Sequence, residues 1–223
     1  MARLPRVVLP GFPLHVIQRG TNRCDIFRDE GDYQFFLTSL HEGCEAHGCA
    51  VNAYVLMTNH AHILLSPSTE DGPSKLMQFV GGRYALYFNH RYERIGALWQ
   101  GRYKATIVDT DAYFLVCSKY VELNPVRAAM VRHPADYRWS SYGHNALGRP
   151  DPLVRLHPLL DSLGSAAYLE MFAEELDEKT LATIRDCTNK GWALGDKRFR
   201  DYVQAETRRR VAPLPKRRRR VDV

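Results

Sequence analysis

The sequence lacks any apolar run long enough to cross a bilayer, and prolines interrupt its N-terminal segment at Pro5, Pro10 and Pro13. We therefore expect no membrane partner and no signal peptide, which needs a continuous apolar stretch. The sequence also lacks Cys-x-x-Cys pairs, and its five cysteines are an odd number. This usage favours reduced thiols and a cytoplasmic location.

The chain is long enough to bury one solid hydrophobic core. It has 223 residues, of which 45% are hydrophobic, so the expected organisation is one domain with an appendage. The charge is concentrated at one end, because the segment 206–223 holds eight basic and two acidic residues. That excess equals the net charge of +6 of the whole chain, so the rest of the sequence is electrically balanced.

The basic segment 206–223 predicts a disordered tail that neutralises phosphate groups in a salt-dependent, sequence-independent way. Its densest run is Arg217, Arg218, Arg219 and Arg220. The alternative is a solvated terminus that only improves solubility.

Two histidines separated by one residue, His60 and His62, lie in the apolar segment 54–66. A strand turns residues two apart to the same face, so both imidazoles would leave one face while Ala61, Ile63 and Leu65 pack on the other. Two neutral histidines at that separation can hold a divalent cation and leave coordination positions open for substrate. The alternative is two unrelated polar residues, because His-x-His is a short and common pattern.

The segment 109–124 predicts a helix. Six residues at the spacing i, i+3, i+4, i+7, i+8 and i+11 would share one face of this helix: Tyr113, Val116, Cys117, Tyr120, Val121 and Asn124. Pro125 disfavours the helical conformation at Asn124, so the helix should end there. Tyr120 and Asn124 would lie one turn apart on this face, where an unpaired buried polar group costs roughly 1–3 kcal/mol. Their partners are either backbone carbonyls or a metal site shared with His60 and His62.

The remaining patterns predict an α+β fold. Strands are expected at 14–19, 49–57 and 60–66, helices at 32–47 and 74–91, and a strand or hairpin at 98–108. This order is that of a ferredoxin-like or RRM-like antiparallel sheet with helices on one face. The segment 137–142 should close the first domain, predicted at 1–146. A C-terminal helical extension at 147–205 and the basic tail at 206–223 follow.

A second group of candidate metal ligands lies close together in sequence, at His41, Cys44, His47 and Cys49. Zinc sites normally draw their ligands from separate elements, so that a tetrahedron can close. The segment 32–47 instead has the apolar stripe of one helix, with Gly48 as its C-terminal cap. We therefore interpret Cys44 as a core residue, and a zinc-stabilised scaffold is the weaker alternative.

Several segments resemble, in the same order, the HUH-type single-tyrosine transposases, and more closely the REP-associated tyrosine transposases of bacteria. These segments are 15–23, 26–27, 32–33, 54–65, 98–104, 120–128 and 136–142. They cover roughly the first two-thirds of the chain, and their joint occurrence is far more specific than any single motif. The His-hydrophobic-His signature of the family is met with Ala61, the smallest apolar residue, in the middle.

The resemblance implies a single-stranded DNA endonuclease and strand-transferase that acts beside hairpins of repetitive palindromic DNA. Carried over by position, Tyr120 is the nucleophile, His60 and His62 are metal ligands, and Asn124 is a third ligand. The implied product is a 5′-phosphotyrosine with a free 3′-OH, and the implied ion is Mg²⁺ or Mn²⁺. The resemblance further implies a nucleoid-associated bacterial protein, either a monomer or a homodimer.

Residues suited to unstacked bases and phosphates occur in two clusters of the predicted first domain. They are Arg19, Asn22, Arg23, Trp99, Gln100, Arg102 and Lys104. Trp99 has the alternative of being a partial core residue. The segment 191–200 resembles the C-terminal part of the REP-associated group, which suggests DNA recognition there. The rival hypothesis is a catalytically silent protein that binds DNA or RNA hairpins on the same sheet.

Overall fold

A four-stranded antiparallel sheet forms the centre of the protein, whose computed structural model describes residues 6–213. Its strands lie in the order β2-β3-β1-β4. Their bounds are β1 (Leu14–Arg19), β2 (Cys49–Met57), β3 (His60–Pro67) and β4 (Lys104–Ile107). Two long helices connect them, α1 (Glu30–His47) and α2 (Gly72–Arg91). This topology confirms the predicted ferredoxin-like α+β fold.

The ends of these elements follow from local capping. Helix α1 begins two residues earlier than predicted because Asp29 caps it, its carboxylate accepting a hydrogen bond from the Asp32 N–H at 3.2 Å. It ends at Gly48, the predicted cap, in the left-handed conformation with φ of 61°. The predicted strand 98–108 is reduced to β4. Before β4, Trp99 turns inward, and its indole N–H donates to the Gly81 carbonyl at 2.8 Å.

Helices α1 and α2 cover one face of the sheet. Ala61, Ile63 and Leu65 of β3 point to this side and are fully buried, which confirms the predicted alternation along the strand. They belong to the same core as Leu40 of α1 and Val80 of α2. The burial of so many apolar side chains in one cluster is the main stabilising contribution on this side.

The other face is covered by α3 (Thr110–Glu122) and by the C-terminal part of the chain. The further helices are α4 (Asn124–Arg127), α5 (Tyr142–Asn145), α6 (Pro158–Leu163), α7 (Ser165–Glu170), α8 (Glu178–Lys190) and α9 (Lys197–Thr207). Helix α3 packs on β2 and β3, and α8 packs on β4 and β1. The C-terminal extension therefore completes the core of the same sheet, and the boundary at residue 146 stays a prediction.

The outer edge of β2 is paired with the chain's own later segments. The Leu56 N–H donates to the Trp139 carbonyl at 2.9 Å, and the Tyr54 N–H donates to the Ser141 hydroxyl at 2.9 Å. Further along the strand, the Arg155 N–H donates to the Val51 carbonyl at 2.7 Å. The segment 137–142 thus covers the sheet edge at β2 and satisfies backbone groups that an open edge would expose, while its role in closing the first domain stays a prediction.

The first part of the predicted tail is ordered. Helix α9 extends through Thr207, and Val211 is fully buried, its carbonyl accepting a hydrogen bond from the Ala193 N–H at 2.9 Å. The prediction of disorder from residue 206 is therefore wrong for 206–213, because the anchoring apolar Val211 outweighs the neighbouring arginines. The four tail arginines at 217–220 lie outside the described residues. Within 6–213, no helix is both long and apolar enough to cross a membrane.

Candidate active site

Strand β3 directs His60 and His62 to the sheet face that α3 and α8 cover. In the register with β1, His60 lies opposite Arg19, and His62 lies opposite Ile17. The two imidazole ring centroids are 4.9 Å apart. His62 is almost fully buried, whereas His60 is half-buried at the start of the strand. The pair therefore has the spacing that the alternation of a strand predicts, with one ring nearer to solvent.

Helix α3 brings Tyr120 against the ring of His62. The centroid of its ring is 5.9 Å from that of His62, and 5% of the residue is exposed. Tyr120 shares its buried face with Cys117 and Val121, as the helical spacing predicts. The face is wider than predicted, because Phe114 is also fully buried. A phenol thus lies beside the imidazole of His62 in a mostly desolvated position.

A third histidine, His15 of β1, joins the group and was not predicted as a site residue. Its Nε2 lies 2.8 Å from Nδ1 of His62, and its Nδ1 lies 3.1 Å from the Thr188 hydroxyl of α8. Its ring also meets the edge of Tyr120, with the centroids 5.7 Å apart. In the sequence, the only sign of His15 as a site residue is that strand alternation places it on the same face of β1 as Ile17. That signal has meaning only once the β1–β3 register is known.

All three histidines are held uncharged at neutral pH. Burial lowers the pKa of His15 to about 3, and burial with a smaller contribution from Arg19 lowers the pKa of His60 to about 4. The pKa of His62 is well below its usual range, chiefly through burial and then through His15 and His60. A neutral imidazole keeps one nitrogen lone pair, which is the form that binds metal ions.

The side chain of His60 has a fixed orientation. Its Nδ1 lies 2.6 Å from Oδ1 of Asn59, and the Asn59 amide donates through Nδ2 to the Arg23 carbonyl at 3.2 Å. Because Nδ2 of Asn59 is the donor group, Oδ1 must accept, so Nδ1 of His60 carries the proton. The other ring nitrogen, Nε2, makes no hydrogen bond with any residue in the range 6–213 and keeps its lone pair free.

Two arginines beside the histidines and Tyr120 have N–H groups without a hydrogen-bond partner among the described residues. The guanidinium of Arg127 lies over the Tyr120 ring, 4.4 Å from its centroid, and donates to the Tyr120 carbonyl at 2.6 Å. Its Nη1 and the Nε of Arg19 are buried and have no hydrogen-bond partner among the described residues. An unpaired buried donor costs free energy, and a guanidinium is suited to a phosphate. Both groups are therefore candidate contacts of an anionic substrate.

Asn124 follows α3 at the start of α4. Helix α3 ends at Glu122, two residues before the predicted end, and Asn124 then caps it. The Asn124 amide donates to the carbonyls of Tyr120 at 3.0 Å and Val121 at 3.1 Å. Backbone carbonyls are therefore partners of this side chain, and only its Oδ1 is left as a possible metal ligand. The role of Asn124 as a third ligand stays a prediction.

The donor groups of the site suit an ion that takes its remaining ligands from elsewhere. In the described part of the chain, no group of three or more His, Cys, Asp or Glu side chains is placed to hold a metal. Two imidazole nitrogens and one amide oxygen would leave the other half of the positions of a six-coordinate ion to phosphate and water oxygens. A set of nitrogen and oxygen ligands fits Mg²⁺ or Mn²⁺ better than two imidazole nitrogens alone would.

The four-residue cluster around Cys44 is not such a site. Cys44 and Cys49 are buried, and burial raises the pKa of their thiols to about 12 and about 11. In the described part of the chain, these side chains are not among any group of three or more His, Cys, Asp or Glu placed to hold a metal, which a zinc site needs. Cys44 belongs to the hydrophobic core, as interpreted from the sequence.

A basic cleft of about 670 Å³ is lined by Arg19 and by Thr188, the residue that contacts His15. Four of the predicted DNA-binding residues line it: Arg19, Gln100, Arg102 and Lys104. Trp192 and the arginines Arg209 and Arg210, from segments predicted to contact DNA, also line it, together with the unpredicted Arg6, Tyr103 and Lys190. Within the described part of the chain, no carboxylate lines this basic cleft, and Thr188 lies on its wall. It is therefore a positively charged approach to the candidate site.

The other predicted DNA-binding residues are elsewhere. Asn22 and Arg23 are exposed on a single turn after β1, where both adopt left-handed backbone conformations with φ of 49° and 57°. Trp99 is half-buried, and its hydrogen bond to α2 supports the alternative of a partial core residue. The tail arginines Arg217, Arg218, Arg219 and Arg220 lie outside the described residues.

Comparison with known proteins adds a family to this geometry. A family model described as "Transposase IS200 like" matches residues 10–124. A solved structure of a REP-associated tyrosine transposase bound to a REP hairpin is similar, with a TM-score of 0.56 and 17% identity over 70% of this chain and 93% of that chain. A candidate transposase from Deinococcus radiodurans has a TM-score of 0.39 and 17% identity over 54% of this chain and 96% of that chain. No curated protein matches the chain.

Proposed function

The chain belongs to the IS200-like transposases, a family of DNA-processing proteins, and we propose that it is a metal-dependent single-strand DNA endonuclease and strand-transferase. The proposed substrate is single-stranded DNA beside hairpins of repetitive palindromic elements in a bacterial nucleoid. The proposed nucleophile is Tyr120. The observation that carries the proposal is the packing of the Tyr120 ring against His62, with centroids 5.9 Å apart.

The covalent step is a transesterification at phosphorus. The phenolic oxygen of Tyr120 forms a bond to phosphorus, and the bond from phosphorus to the 3′ oxygen breaks. The phenol loses one proton and the departing 3′ oxygen takes up one, so the step is balanced without an oxidant or a reductant. The 5′-phosphotyrosine conserves the energy of the broken ester, so attack by a 3′-OH can later rejoin a strand.

His60 and His62 would hold the Mg²⁺ or Mn²⁺ ion, with Oδ1 of Asn124 as the third protein ligand. A bound divalent cation draws charge from the phosphate and stabilises the departing oxygen. Support comes from the low pKa of both imidazoles, which keeps a lone pair on each ring at neutral pH. The free Nε2 of His60 is a second supporting observation.

The chain's own cations would bind the rest of the substrate. Arg19 and Arg127 carry buried donors without described partners beside the tyrosine and the histidines, so they are the proposed contacts of the scissile phosphate. The basic cleft would carry the flanking single strand, because it combines arginines and lysines with Trp192, on which a base can stack. Phosphate contacts of this kind give affinity without reading the sequence.

The test uses Tyr120→Phe, with Tyr113→Phe on the same helix as the matched control. Each protein is incubated with a panel of single-stranded hairpin oligonucleotides in Mg²⁺ or Mn²⁺, and the covalent adduct is measured on denaturing gels. We expect wild type and Tyr113→Phe to form the adduct, and Tyr120→Phe to lose it while keeping its hairpin affinity. An adduct that persists in Tyr120→Phe would assign the nucleophile to another residue.

A second outcome distinguishes the rival hypothesis. If the wild-type protein binds the hairpins but forms no adduct with any oligonucleotide in either metal, the protein is a hairpin binder and the enzymatic proposal is rejected.

A further inference from the structure

We propose that helix α8 of the C-terminal extension fixes the tautomer of His62 through His15, and that Thr188 is a positioning residue of the metal site. The hydrogen-bond part of this inference is independent of DNA chemistry, whereas its metal part rests on the proposed function. The supporting observation is a continuous chain of contacts from the backbone of α8 to the ring of His62.

The chain begins at Thr188, which has one hydroxyl hydrogen. That hydrogen is committed to the Ile184 carbonyl, because Oγ1 of Thr188 lies 2.8 Å from it within the same helix. The hydroxyl oxygen can therefore only accept from His15, whose Nδ1 is 3.1 Å away. His15 must carry its proton on Nδ1.

The second step passes through the ring of His15. This residue is fully buried, and no described carboxylate forms a hydrogen bond with it or with His62, so a single ring proton is expected. With that proton on Nδ1, Nε2 of His15 is an acceptor. The nitrogen facing it at 2.8 Å is Nδ1 of His62, which must donate. The lone pair of His62 is then on Nε2.

His60 also carries its proton on Nδ1, and a single hydrogen bond to the neighbouring residue is sufficient to fix it. The carboxamide of Asn59 accepts from its Nδ1, as the bond from Asn59 to the Arg23 carbonyl requires. Both histidines of β3 therefore offer the same nitrogen, Nε2, on one face of the strand. Asn59 is adjacent to His60, whereas Thr188 is supplied by α8 from a distant part of the sequence. The extension therefore supplies part of the support of the candidate metal site.

Loss of a hydrogen bond that orients a metal-binding histidine typically lowers metal affinity by 10–100-fold. Without the Thr188 acceptor, the proton of His15 can move to Nε2, and His62 must then move its own proton to Nε2. In that state the nitrogen that is meant to bind the ion is protonated.

The first measurement is made on the metal-free, DNA-free full-length protein. Nitrogen-15 NMR of the imidazoles reports which ring nitrogen is protonated, with His62 assigned by the loss of its signals in His62→Gln. We expect the Nδ1–H form at His62 in wild type and in Thr188→Ser, which keeps the hydroxyl. Thr188→Val should show a substantial Nε2–H population, and Thr188→Ala is the second variant if the valine protein does not fold.

The second measurement is the Mn²⁺ affinity of the same proteins, followed by electron paramagnetic resonance. We expect affinity about tenfold weaker in Thr188→Val, and within about twofold of wild type in Thr188→Ser. An unchanged tautomer in both Thr188→Val and Thr188→Ala overturns the hydrogen-bond chain. Equal Mn²⁺ affinities in all variants, or equal losses in the serine and valine proteins, overturn the positioning role.

Failure of the proposed function has a different signature. If Tyr120→Phe still forms an adduct, the nucleophile is wrong, but the tautomer of His62 and the effect of Thr188 on Mn²⁺ binding are unaffected. If the wild-type tautomer is as expected but the protein binds no Mn²⁺, the positioning role is overturned together with the proposed metal, while the hydrogen-bond chain is supported.

Discussion

The two faces of the sheet both bury apolar side chains, but only one of them also carries imidazoles from β3. Toward α1 and α2, β3 presents Ile63 and Leu65, which are fully buried in an apolar core. Toward α3 and α8, the same strand presents His60 and His62. On the face toward α1 and α2, the side chains need only neighbours of the right volume to pack closely. The face with the histidines also needs hydrogen-bonding groups or ions in the correct orientation, because each ring nitrogen must meet a donor, an acceptor or an ion.

This difference predicts that substitutions on the two faces have separable effects. Replacement of a histidine should change the chemistry with little effect on stability, and truncation of an apolar side chain toward α1 and α2 should lower stability with little effect on the chemistry. Four measurements test this separation.

The largest effect is expected from His62→Gln on the histidine face. We expect the rate of adduct formation to fall by at least about 10³-fold, equivalent to about 4 kcal/mol, because a proposed metal ligand is lost. The free energy of unfolding should change by about 1 kcal/mol or less, since the glutamine amide can still donate to His15. Single-turnover assays and urea unfolding measure the two quantities. A fully active His62→Gln protein would contradict the assignment of the ligand.

The matching change on the face toward α1 and α2 is Ile63→Ala. Its side chain is fully buried next to His62, so the truncation should lower the free energy of unfolding by about 3–4 kcal/mol. Urea unfolding monitors this loss. The adduct rate, measured well below the unfolding temperature, should stay within about threefold of wild type. A large loss of rate in the folded variant would show that the two faces are not separable.

A pH effect is expected from Glu122 on the side of the sheet that α3 covers. This carboxyl is fully buried and accepts hydrogen bonds from Ser141, Asn145 and Tyr168. Burial raises its pKa to about 7, and the three hydrogen bonds oppose that rise. The folded state therefore binds the proton more tightly than the unfolded state. The resulting stability is present below the ordinary pKa of glutamate and is lost as pH rises through 7.

For Glu122 we therefore expect the free energy of unfolding to fall by up to about 3 kcal/mol between pH 4.5 and pH 8. Glu122→Gln should remove most of this dependence, whereas Glu45→Gln on the exposed surface of α1 should leave it intact. Urea unfolding at a series of pH values compares the three proteins. The same slope in wild type and in Glu122→Gln would assign the effect to another group.

The smallest effect is expected in the basic cleft. Arg102→Ala should weaken hairpin binding about fivefold, or about 1 kcal/mol, and reduce the slope of log affinity against log salt by about one. Lys75→Ala, on α2 at the other side of the sheet, should leave both unchanged. Fluorescence anisotropy at several salt concentrations measures them. Equal losses in the two variants would mean that binding depends on overall charge and not on the basic cleft.

The sequence predicts those parts of the fold and the site that depend on local patterns. Alternation places His60 and His62 on one face of β3, and helical spacing places Tyr120 on the buried face of α3. Gly48 ends α1 because a left-handed conformation is needed there. Each of these inferences uses residues within a few positions of one another, for which the period of the element is sufficient.

The remaining features depend on pairings that no local pattern contains. The contact between His15 and Thr188 joins residues 173 positions apart. The basic cleft similarly needs β4, α8 and the segment after α9 to come together, so Arg6 and Arg209 could not be assigned to it from the sequence. The order of the first tail residues depends on the burial of Val211. Register and long-range packing decide all three.

The closed edge of β2 has a consequence for how the cutting rate depends on protein concentration. With Trp139 and Ser141 hydrogen-bonded along that edge, a second molecule cannot extend the sheet there. Tyr120 and His62 already meet within one polypeptide. Under the proposed function, a single copy would carry its own nucleophile and its own imidazoles, and we expect cutting per molecule to be independent of protein concentration once the DNA is saturating.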